Sequence, residues 1–167
     1  MPGSPDPVLG SDALTLGVAC FFAALAAAAP YWFPAPRPRP ATFAVGGGAV
    51  YAASCLAVWA VARLATVGLP SAASEQPATL GVVLALNAVV IALQVAIPYY
   101  VYARWRFVAP LAGAFAATVA VLVLFLNVNG ETDPVGLYPF VFGPPLVVAT
   151  CILALAEFGV RRFLLAG

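Results

Sequence analysis

Five uninterrupted apolar stretches, each as long as a bilayer is thick, leave this chain only one kind of surroundings in which it can fold. They cover residues 13–33, 43–66, 79–102, 107–127 and 137–160. A spanning helix needs about 20 mostly apolar residues, and every stretch meets that length. Apolar residues make up 64% of the 167-residue chain and charged residues 8%, with a mean hydropathy of +1.04. Soluble domains are about 25% charged, and one soluble core of this size cannot hide so much apolar surface. The apolar runs are continuous and do not alternate, which favours helices over barrel strands. The sequence therefore predicts an all-α fold: a polytopic integral membrane protein, residues 1–167 forming a single bundle of five transmembrane helices. The first run ends in "AAAAP", which mimics a signal-peptide cleavage site. Residues 1–12 carry Asp6 and Asp12 and no basic side chain, so a retained helix is expected rather than a cleaved leader.

The arginines set the expected orientation, because cytoplasmic loops retain basic residues. Arg37 and Arg39 lie between helices 1 and 2, Arg104 and Arg106 between helices 3 and 4, and Arg161 and Arg162 after helix 5. In a five-helix chain these three places fall on one side. Asp6, Asp12, Glu75, Glu131 and Asp133 fall on the other. Arg63 breaks the pattern, at the far end of helix 2, where it can snorkel or meet Glu75. The N-terminus is thus expected outside and the C-terminus in the cytoplasm of a cell membrane. Seven arginines and no lysines, with abundant Ala and Val, point to a GC-rich prokaryotic genome.

The stretch "PYWFPAPRPRPA" at 30–41 fits this topology. Tyr31, Trp32 and Phe33 form an interfacial anchor, Pro34, Pro36, Pro38 and Pro40 impose an extended turn, and the arginines hold it among anionic headgroups. "PYYVYARWRF" at 98–107 repeats the combination. Pro98 is expected to kink or end helix 3 near Ile97, with Tyr99 to Phe107 then lying along the interface.

Few residues carry chemistry. Asn87 and Gln94 sit seven residues apart, two turns on one face of helix 3, about 10 Å along the axis. Amides in hydrocarbon need partners, so this face is expected inside the bundle, bonding other helices or lining a polar path. Glu157 and Arg63 are the ionisable candidates; Glu157 stands four residues before Arg161, a paired spacing on a helix. Gly46, Gly47, Gly48 and Ala52 open a small-residue ridge on helix 2, continued by Ala49, Ala53 and Ala57, which admits another helix closely. "GPP" at 143–145 is expected to break helix 5, leaving 137–142 as a re-entrant or interfacial piece. Cys20, Cys55 and Cys151 lie in apolar runs as packing residues. No histidine is present and no nucleotide-loop or hydrolase motif occurs, so no cofactor or metal is expected and the sequence disfavours catalysis. No basic patch is large enough for nucleic acid. The expected partners are the lipid bilayer and either another copy or a different membrane protein.

Three functions follow from this pattern. The first is a non-catalytic accessory subunit or scaffold; the second is a small transporter or channel component using the polar face of helix 3; the third, least favoured, is a membrane enzyme with Glu157 as its acid beside Arg161, a set too sparse to define a mechanism. The topology is open to direct test. Cysteine substituted at Pro38 should stay silent to an impermeant thiol reagent applied to intact cells, and cysteine at Thr132 should react. The reverse result inverts the orientation.

Overall fold

The computed structural model describes residues 6–33, 39–66, 76–128 and 134–165. Arg37, Glu75, Glu131 and Asp133 lie outside the described residues. Helix α1 spans Asp12–Trp32, α2 Pro40–Thr66, α3 Pro77–Trp105 and α4 Ala109–Leu126. A four-residue helix α5, Pro134–Leu137, passes through a π-helical turn at Tyr138–Phe142 into α6, Gly143–Leu165. Five helical segments are long and apolar enough to cross a membrane, the last being Pro134–Leu164. The one extended pairing among the described residues joins β1 (Asp6–Pro7) antiparallel to β2 (Asn127–Val128). Beside it, the Val8 N–H donates to Leu126 O at 3.0 Å.

Local chemistry explains the helix ends. Gly10, at φ +81°, makes the turn that precedes α1. The Ser11 hydroxyl then caps α1 by accepting the Leu14 N–H at 3.2 Å, and Asp12 adds negative charge in the first turn. Proline opens α2 and α3, where its missing N–H is harmless. Helix α3 ends at Arg106, a non-glycine residue in the left-handed region at φ 59°. That conformation costs about 1–2 kcal/mol. Two contacts offset it: the Arg106 guanidinium lies 5.0 Å from the centroid of the Tyr102 ring, and Arg106 O accepts from Arg161 at 2.9 Å.

Pro98 does not end α3. The helix runs through it to Trp105, so the interfacial segment expected from Tyr99 onward is instead helical, and Tyr99 and Tyr102 are buried. The neighbouring helices hold it in line: Tyr102 packs against Tyr31 and Tyr99 stacks on Phe43. At 29 residues α3 is about 43 Å long, more than the roughly 30 Å hydrocarbon layer.

Helix α4 is the hub. More than half of its spanning window is buried, 56%, against 17–28% for the other four spans. It packs on α1, α2, α3 and α6, whereas α1 packs mainly on α4 and α2 mainly on α3. The consecutive helices α1 and α2 therefore face each other across a gap. Close approaches occur where side chains are absent. A Cβ on Gly48 would lie 2.8 Å from Ala92 O, and one on Gly47 would lie 2.8 Å from the Tyr99 ring. A Cβ on Gly113 would lie 2.6 Å from Thr150 Oγ1, which brings α6 onto α4. The outward faces carry exposed Phe21, Phe22, Leu155 and Phe163, suited to lipid.

One bond illustrates how the bundle closes. Pro30 lies inside α1 and has no N–H for the carbonyl four residues back, Ala26 O. The Tyr99 hydroxyl donates to that oxygen at 2.6 Å. Tyr99→Phe should therefore cost about 1–2 kcal/mol, read as unfolding free energy in mixed micelles. In a Pro30→Ala background the restored N–H takes the carbonyl and most of that cost should vanish; strictly additive effects would refute the pairing.

Candidate functional site

The two side-chain amides of α3 lie where α3 meets the fifth span. Asn87 and Gln94 are both fully buried, at 0% exposure. The Asn87 amide donates to Val83 O within its own helix at 2.8 Å and to Val135 O across the interface at 2.7 Å. Pro139 lies four residues beyond Val135 and has no N–H to return to that carbonyl. Asn87 thus supplies to α5 what Tyr99 supplies to α1.

Two turns further along α3, Gln94 Oε1 accepts the Tyr138 hydroxyl at 2.9 Å, and Gln94 Nε2 makes a long 3.4 Å contact with Gly143 O. Tyr138 is fully buried, with its ring edge-on to Phe125 at 5.6 Å. This residue was absent from the sequence-derived candidates. The available signal was local: an aromatic hydroxyl one residue before a proline in an otherwise apolar run, with no water to bond.

The expected break at "GPP" takes a different form. Residues 137–142 are not a separate re-entrant piece but part of a continuous helical run, whose wide turn at Tyr138–Phe142 has the Gly143 N–H reaching back five residues to Tyr138 O. Pro144 and Pro145 lack the N–H groups that would hold an ordinary register there, and a π turn absorbs the mismatch. Gly143 itself is in ordinary helical geometry. It is needed for space, since a Cβ there would collide with Val90 Cγ1 and lie 3.0 Å from Tyr138 O. Asn87 Oδ1 is buried without a hydrogen-bond partner.

The remaining candidates separate from this cluster. Glu157 sits at one end of the bundle, bridging α6 and α4. It accepts the Ala109 N–H at 2.7 Å and pairs with Arg161 at 2.6 Å. A carboxylate at the α4 N-terminus complements the helix dipole. Arg161 also lies over the Phe107 ring at 4.9 Å and donates to Arg106 O. Arg39, Arg104, Arg106 and Arg162 are exposed, while Arg63 is half-buried in the last turn of α2. Gly47 and Gly48 meet α3, Ala52 is buried, and Gly46 meets nothing. The Gly47 and Gly48 part of the ridge thus packs on α3 of the same chain, while Gly46, Ala49, Ala53 and Ala57 are exposed.

Comparison with family models, with curated proteins and with solved structures returns no match. Asn87→Leu combined with Gln94→Leu should lower thermal stability in detergent, and Tyr138→Phe alone should do so by a smaller amount. Interhelical bonds in membranes average about 0.6 kcal/mol, so the double variant, which removes three of them, should lose roughly 1–3 kcal/mol. Unchanged melting would argue against the network as a structural clamp.

Proposed function

We propose that this chain is a non-catalytic, multi-pass component of a prokaryotic cell membrane, an accessory subunit or scaffold that works by packing against another membrane protein. One observation carries the reading: the amide donors of Asn87 and Gln94 are directed at carbonyls of the fifth span and not at a solvent path. Glu157, the one acidic side chain in the latter half of α6, is likewise engaged by Ala109 and Arg161. Such groups join helices and, among the described residues, leave no acid–base set to drive a reaction. The arginine distribution supports an external N-terminus and a cytoplasmic C-terminus. An outward row on α2, Gly46, Ala49, Ala53 and Ala57, is exposed and small enough for a foreign helix to approach.

The alternative, a small transporter or channel component, draws on one detail. Asn87 Oδ1 is buried without a partner beside the π turn, and π turns recur at functional sites. Purification from native membranes in mild detergent separates the readings. A subunit should co-elute with another membrane polypeptide at fixed stoichiometry, and Ala53→Phe should release it without lowering the melting temperature. A partnerless protein whose proteoliposomes carry a solute flux abolished by Asn87→Leu would replace this reading with transport.

A further inference from the structure

The gap between α1 and α2 encloses an apolar cleft of about 420 Å³, floored by α4. Its volume falls in the range of small-molecule sites, about 300–1,000 Å³. We infer that this cleft binds a single lipid acyl chain, entering sideways from one leaflet.

Length selects the occupant. Along α1 the lining runs from Val18 to Ala26 and along α4 from Thr118 to Leu126, each about 12 Å at 1.5 Å per residue. Leu9 and Leu126 mark the end nearest the β1–β2 pairing, and Tyr51 and Ala26 mark the other, near mid-span. That extent matches one leaflet, about half of a 30 Å hydrocarbon layer. A partner helix needs the whole thickness and a channel about 10 Å wide.

Chemistry selects it further. Three hydroxyls line the cleft, and none has a hydrogen to give. Tyr51 donates to Thr118 Oγ1 at 2.8 Å, Thr118 donates to Ala114 O at 2.7 Å, and Ser54 donates to Val50 O at 2.9 Å. A ligand presenting carbonyl or phosphate oxygens would leave them unsatisfied, whereas a hydrocarbon chain asks for no donor. Phe22 and Ser54 at the rim are exposed, so the opening faces lipid. An apolar void of this kind excludes water, and lipid tails are what the surroundings supply.

Native mass spectrometry of the full chain, reconstituted in phosphatidylcholine vesicles and then released in mild detergent, tests this. One phospholipid per chain should survive activation that strips the annular lipid. Ser54→Phe with Val18→Phe fills the cleft and should reduce that adduct at least tenfold, while Leu155→Phe on another face should keep it. Wild-type protein gives an independent reading: palmitoyl chains should bind and hexanoyl chains, too short to fill the cleft, should not. Phosphatidylglycerol should bind as well as phosphatidylcholine. An adduct that tracks headgroup charge, survives cleft filling or ignores chain length would overturn the assignment. So would a lipid-free wild type, or a dimer whose interface covers α1 and α2.

Discussion

Hydrocarbon offers no hydrogen bonds, and the rest of this structure answers to that constraint. Each backbone donor and acceptor in a span must be satisfied by the protein itself. Helices do so internally except where proline removes a donor. Pro30 and Pro139 each strip a partner from the carbonyl four residues earlier, and each carbonyl is met by a side chain of α3, Tyr99 for Ala26 and Asn87 for Val135. The same helix therefore ties both the first and the fifth spans to the bundle. Its polar side chains donate to carbonyls of the neighbouring spans.

Close packing supplies the remaining cohesion. Lipid tails are as apolar as leucine, so burial against another helix gains little from the hydrophobic effect, and van der Waals contact dominates. Contact is tightest where glycine removes the Cβ: Gly48 against the α3 backbone, Gly113 against Thr150 and Gly143 against Val90. The short central α4 has four helical neighbours, one of which, α6, is brought close at Gly113. Between α1 and α2 this arrangement leaves a gap floored by α4.

Much of the fold was legible beforehand. Apolar runs summed over twenty residues are a local quantity, and the five observed spans overlap the five expected ones with ends shifted by a few residues. The polar residues Asn87 and Gln94 were also visible as a pair, because two turns of helix place them on one face. Less visible were the consequences of proline. Pro98 reads as a kink or an end of the helix in isolation, yet the tyrosines around it pack against α1 and α2 and the helix continues. "GPP" reads as a break, yet one π turn absorbs it. In both cases the outcome depends on what the neighbouring helices can supply.

From its residues alone this chain declares its medium, its number of crossings and the segregation of its arginines, since each of these is a sum or an order along the chain. Tertiary structure alone decided that α3 meets the fifth span through Tyr138, that α4 is central and that α1 stands apart from α2. The physical reason is that apolar faces in lipid are nearly equivalent. Which face turns inward is settled by pairs of groups, a bare glycine opposite a backbone or a lone carbonyl opposite a donor, and such pairs exist only once the helices have met.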